Sequence, residues 1–223
     1  MGKKQINELK EIFEQNRNEK NAIPMKKYMR EQFLFIGLKS KERKELSKEF
    51  MKRLPFDKEL ESVIKTLWAL PEREYQYVAI DYLIKYKKLL TSEHVELLEY
   101  LIKTKPWWDT VDAIATHLVG TLFQNHPHLI NSRGNQWLHS DSIWLKRTMI
   151  ICQLKYKEKT NEKLLFTIIK ETKDIDQFFI QKAIGWALRE YSKTNPTSVF
   201  RFINNEKLSN LARREGLKHI EIK

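Results

Sequence analysis

The residues best suited to chemistry lie in Lys105–Leu122, K-P-W-W-D-T-V-D-A-I-A-T-H-L-V-G-T-L. Trp108 and Asp112 are four apart, so on a helix they share one face. Trp107, Val111, Ile114, Leu118 and Leu122 recur at helical spacing as a core-facing stripe. The Trp108–Asp112 pair lies about 100° round from that stripe. Two readings are open: an accessible aromatic–acid pair with a chemical role, or Trp108 as further core and Asp112 as a solvated charge. Asp109 stands only three residues before Asp112. That is too close for two carboxylates working as an acid/base pair across a sugar, so a single working carboxylate is expected.

A second group follows on the segment 176–193. Lys182, Trp186, Arg189 and Lys193 recur at spacings of four, three and four, beside a buried stripe of Ile180, Ile184, Ala187 and Tyr191. Cations around an indole suit a nucleic-acid face, where ammonium groups meet phosphates and the ring meets a sugar or base. The same residues also fit a core Trp186 with snorkelling cations. Arg147 follows Ile143 and Trp144 on an amphipathic helix, and an arginine there calls for a carboxylate or another anion. Tyr28 stands among Lys26 and Lys27. Lys39-Ser40 opens a basic segment with Lys41, Arg43, Lys44 and Lys48, whose first amides suit a phosphate or a plain surface helix equally.

These residues need elements to hold them, and the chain offers only helices. Ile6, Leu9, Ile12 and Phe13, or Val95, Leu97, Leu98 and Leu101, show three- and four-residue spacing, and no segment reads as a strand. Pro24, Pro55, Pro71, Pro106, Pro127 and Pro196 are expected at helix starts, Pro106 in the first turn of its helix. Short connections predict antiparallel neighbours. Lys85-Tyr86-Lys87 recurs as Lys155-Tyr156-Lys157, 70 positions later. Each leads through a short apolar helix to an aromatic doublet, Trp107-Trp108 and Phe178-Phe179. That interval is about two helical-pair repeats. The fold class expected is all-α, a curved solenoid of HEAT-like antiparallel helix pairs forming one domain over residues 1–223.

Net charge is +12, unevenly spread. Residues 1–53 carry 15 Lys/Arg against 8 Asp/Glu, residues 54–139 carry 9 against 11, and residues 140–223 carry 17 against 10. Basic ends around a slightly acidic middle suit a polyanion gripped at two places, or simply a basic protein. The single cysteine, Cys152, lies in an apolar run and reads as a buried free thiol in a reducing compartment. No apolar signal region or membrane-spanning stretch is seen, so a cytoplasmic protein is expected. Neither metal-ligand spacing nor a phosphate-cradling glycine motif occurs, and no cofactor is expected.

Several runs closely resemble the AlkD-type DNA alkylation-repair glycosylase family: P-M-K-K-Y-M at 24–29, L-P-E-R-E at 70–74, K-P-W-W-D-T-V-D at 105–112, W-L-K-R at 144–147 and F-F-I-Q-K-A-I-G-W-A-L-R-E-Y at 178–191. The resemblance spans residues 6–219. It implies a HEAT-like array that removes cationic 3- and 7-alkylpurines from duplex DNA held on a concave basic face. The family's catalytic aspartate matches Asp112. Its cleft aromatics match Tyr28, Trp108 and Trp186, and its cleft arginine matches Arg147, implying a contact with the backbone near the lesion. Lys39-Ser40 departs from a commoner Gln-Thr pair.

The function expected is a monofunctional N-glycosylase in which Asp112 stabilises an oxocarbenium-like transition state, acting as a monomer on alkylated duplex DNA. Lys39, Ser40, Arg43, Lys182, Arg189 and Lys193 are the expected DNA contacts. The protein is expected in the cytoplasm, associated with the nucleoid when bound. The alternatives are a non-catalytic DNA-binding module of the same fold and a HEAT-type protein–protein scaffold.

Overall fold

The computed structural model describes residues 2–220. Among them every regular element is helical, and the only sheet-like pairing is one isolated bridge between Leu34 and Glu72. The architecture is all-α, as expected. The chain divides into two compact units, residues 1–86 and 87–223.

The first unit contains α1 (Gly2–Gln15), α2 (Glu19–Tyr28), α3 (Ser40–Leu46), α4 (Lys48–Arg53), α5 (Leu60–Ala69) and α6 (Arg73–Lys85). Ile6, Leu9 and Phe13 form the buried stripe of α1, and Phe13 stacks on Tyr75 of α6 at 5.4 Å. Pro24 does not start a helix. α2 begins at Glu19, where the Asn18 side chain accepts the Asn21 amide, and Pro24 lies inside it. The cap fixes the start, and the proline removes one hydrogen bond from the helix interior.

The loop between α2 and α3 is held from below by Glu74. This fully buried carboxylate accepts the amides of Ile36 at 3.1 Å, Gly37 at 2.8 Å and Leu38 at 3.2 Å. Gly37 has φ +97°, and a Cβ there would collide with the Asn18 carbonyl, so only glycine lets the three amides converge. Burial raises the Glu74 carboxyl above its ordinary value, against the pull of those amides.

The second unit contains α7 (Val95–Lys103), α8 (Trp108–Ala113), α9 (Gly120–Asn125), α10 (Asn135–His139), α11 (Ile143–Ile151), α12 (Glu162–Thr172), α13 (Phe178–Ser192), α14 (Pro196–Asn205) and α15 (Asn210–Gly216). A π-helical stretch, Ile114–Val119, joins α8 to α9, so residues 108–125 form one continuous rod. α11 is apolar on nearly every side and packs against α7, α8, α10, α12 and α13. A helix of that composition must be central.

The 70-residue echo has a structural counterpart. Lys87–Leu89 and Lys157–Lys159 are both 3₁₀ turns, and the aromatic doublets sit at the starts of α8 and α13. A second boundary differs from expectation: Pro106 and Trp107 precede α8. Trp107 is extended, and its ring turns into an aromatic cluster with Phe179 at 5.2 Å and Trp144 at 5.8 Å.

Candidate functional site

α8 and α11 are tied together by charge. The Arg147 side chain, 4 % exposed, donates from Nε to Asp112 Oδ1 at 2.7 Å and from Nη2 to Oδ2 at 2.8 Å. Its third nitrogen donates to the Phe179 carbonyl at the start of α13. A planar guanidinium can make all three bonds at once, which a lysine cannot. Asp112 is thus held at both oxygens by one buried guanidinium, yet its side chain remains 16 % exposed.

That exposed edge faces a cleft of about 340 Å³ lined by Asp112, Ala113, Thr116, His117, Leu154, Lys155, Trp186 and Glu190. Burial pushes the Asp112 carboxyl above the ordinary aspartate value; the Arg147 hydrogen bonds and charge oppose this, and Asp109 adds to the upward push. Arg147 therefore partly offsets the desolvation that disfavours an anion there. An ionised carboxylate has about four lone-pair sites. Arg147 uses two, leaving capacity toward the cleft.

The π-helical stretch begins two residues after Asp112. It lowers the density of ordinary backbone hydrogen bonds, and side chains compensate: the Thr116 hydroxyl donates to the Asp112 carbonyl and the Thr121 hydroxyl to the His117 carbonyl, both at 2.8 Å. His117 lines the cleft. Burial, then the charges of Lys155 and Lys87, hold its imidazole below the ordinary histidine value, so it is neutral at pH 7. Lys155 and Leu154 reach the cleft because the chain after α11 approaches the rod at Gly120. A Cβ there would collide with the Cys152 carbonyl, and the Tyr156 hydroxyl donates to the Gly120 carbonyl at 2.6 Å. Cys152 itself is buried, its thiol pushed up to about 12 by desolvation, and is chemically quiet. Among the described residues no three His, Cys, Asp or Glu side chains are grouped to hold a metal ion.

The sequence as a whole matches the model of a family described as DNA alkylation repair enzyme, over residues 9–220. The chain belongs to that family. A solved structure described as a predicted DNA alkylation repair enzyme from Enterococcus faecalis is 37 % identical, with a TM-score of 0.85, covering 92 % of this chain and 96 % of that one. None of the curated proteins matches. Family membership makes this an enzyme of DNA alkylation repair and a DNA-binding protein.

The other expected site residues fall in varied settings. Trp186 lines the cleft with Asp112, whereas Trp108 is half-buried at the first position of α8, one turn before Asp112. Tyr28 ends α2 in the first unit and is 69 % exposed. Lys39 and Ser40 are exposed at the start of α3, but Arg43 is buried, donating to Asp81 at 2.9 Å and lying over the Tyr77 ring. Lys182, Arg189 and Lys193 do not form one free stripe. Lys182 and Arg189 both reach Glu215 of α15, at 3.1 and 3.0 Å, where Lys218 joins them. Lys193 pairs with Glu190 at 2.7 Å. Lys218, then Lys182, hold the Glu215 carboxyl down at about 2. Sequence reasoning missed Thr116, His117, Lys155 and Glu190. Glu190 was the most readable, one helical turn after Trp186.

Proposed function

We propose that this protein is a DNA N-glycosylase that hydrolyses the bond between deoxyribose and a cationic alkylated purine, chiefly 3- and 7-alkyl adducts in duplex DNA. Membership of the alkylation-repair family supports the substrate class. The observation that carries the reading is the Asp112 carboxylate, fixed bidentately by buried Arg147 at the edge of a cleft that also holds Trp186.

Alkylation at N3 or N7 puts a positive charge on the purine, which is then a good leaving group without a general acid. The C1′–N bond breaks, its electron pair leaves with the base, and the base becomes neutral. The sugar carries the positive charge as an oxocarbenium ion. Water adds to C1′ and releases a proton, giving a free alkylpurine and an abasic site. An enzyme need only stabilise the positive sugar and place the water. Asp112 does the first electrostatically, and its unused lone pairs can orient the second. Arg147 acts as a positioning residue, holding Asp112 ionised and pre-aimed, so little reorganisation is needed during the reaction. The face of Trp186 supplies a cation-tolerant surface. Trp108 and Tyr28 are assigned to the lesion cleft on family resemblance.

The enzyme is proposed to act as a monomer in the cytoplasm, on the nucleoid. Among the described residues no helix is long and apolar enough to cross a membrane. The test is chemical: purified protein is incubated with dimethyl sulfate-treated duplex DNA, and free bases are separated and quantified. Release of 7-methylguanine above the spontaneous rate supports the glycosylase. Tight DNA binding with no release at any enzyme concentration favours the non-catalytic binding module.

A further inference from the structure

The cleft contains a second carboxylate that the proposed reaction does not use. Glu190 lines it together with Asp112 and lies one turn beyond Trp186 on α13. The two acids are held very differently. Both oxygens of Asp112 are engaged by a guanidinium that is 4 % exposed and also bonded to the Phe179 carbonyl of α13. The Glu190 partner is the Lys193 ammonium, at 2.7 Å on the same helix, with a side chain that is 53 % exposed. An exposed i,i+3 pair is weak and easily exchanged, and a flexible ammonium is readily drawn to a phosphate.

We propose that Glu190 is the specificity residue that selects a positively charged nucleotide, with Lys193 as its counter-ion only while the protein is free of DNA. This rests on the glycosylase reading and extends it. When a DNA phosphate takes Lys193, Glu190 is left as an anion beside the Trp186 face, and a cationic nucleotide entering the cleft replaces the lost counter-ion. A normal, neutral nucleotide leaves that carboxylate without a counter-charge and is disfavoured. Discrimination therefore comes from an unpaired charge as well as an attractive one. The other charged group of the lining, Lys155, opposes a cation until it too meets phosphate, and His117 is neutral there.

The experiment uses two duplexes, identical except at one position: a cationic pyrrolidine nucleotide in one and a neutral tetrahydrofuran nucleotide in the other. Affinities are measured for the wild type and Glu190→Gln, with 7-methylguanine release by the wild type alongside. Glu190→Gln retains the fold, because the lost pair is a surface one. It is expected to bind the neutral duplex as the wild type does and to lose about three- to tenfold of the preference for the cationic one, as one partly screened charge contact supplies. If the wild type releases base and Glu190→Gln keeps the full preference, the selection role is overturned and the glycosylase stands. If the wild type releases no base and shows no preference, both fall.

Discussion

Replacing Asp112 by asparagine should weaken the fold as well as the chemistry. The structure gives the reason and the size. Arg147 makes two charge-assisted bonds to Asp112, at 2.7 and 2.8 Å, and is 4 % exposed, so no solvent stands ready to replace them. Removing one partner of a buried ion pair typically costs about 3–5 kcal/mol. Asparagine keeps one accepting oxygen, which places the expected loss at the lower end, about 3–4 kcal/mol. For a chain of this size each kcal/mol lowers the melting temperature by about 2–4 °C, so a fall of roughly 6–16 °C is expected by calorimetry. A second substitution isolates the cause. Asp112→Asn with Arg147→Met removes both charges, and well-packed apolar replacements of buried pairs are often neutral. The double variant should therefore melt above the single one, a non-additivity that marks direct coupling. A single variant melting within about 2 °C of the wild type, or a double variant no better than the single, would refute the argument that Arg147 depends on Asp112.

Four further outcomes follow from the same geometry. Burial raises the Asp112 carboxyl and Arg147 opposes that rise, so Arg147→Met should move the acid limb of the single-turnover pH–rate profile to higher pH; an unmoved limb would show that another group titrates there. Glu74→Gln places an amide donor among three backbone donors, and chemical denaturation should show a loss of about 1–3 kcal/mol; unchanged stability would remove Glu74 as the holder of the Lys39 loop. Lys193→Glu should flatten the salt dependence of DNA affinity by about one unit of slope per phosphate contact with little change in melting. Charge reversal at Lys182 should instead lower the melting temperature as well, because it disturbs Glu215, whose stabilising contribution is present at neutral pH and fades only as pH falls toward about 2.

The helical period of the sequence was enough to read the fold class, because Val111, Ile114, Leu118 and Leu122 recur every three or four residues and all are buried. The π-helical stretch inside that stripe was not legible. One widened turn leaves three- and four-residue apolar spacing intact, and its effects appear only as hydroxyl bonds from Thr116 and Thr121. The division at residues 86 and 87 carries no glycine- or proline-rich linker and arises from packing. Asp112 and Arg147 each stood out in the sequence, and the need of Arg147 for an anion could be read, but not that the two would meet across 35 residues. Lys182 and Arg189 looked like free cations because Glu215 lies more than 20 residues downstream and reaches them only when α15 packs on α13. Long-range charge partners are set by tertiary contact, which periodicity does not encode.

The central claim is that Asp112 supplies electrostatic stabilisation to a cationic sugar. It is tested most directly by single-turnover release of 7-methylguanine from methylated duplex DNA, comparing the wild type with Asp112→Asn at a temperature where circular dichroism shows both fully folded. Loss of one preorganised electrostatic partner predicts a rate lower by about 10²–10³, with DNA affinity kept or increased. Excision by the folded variant at close to the wild-type rate would contradict the claim and leave Asp112 as the structural counter-ion of Arg147.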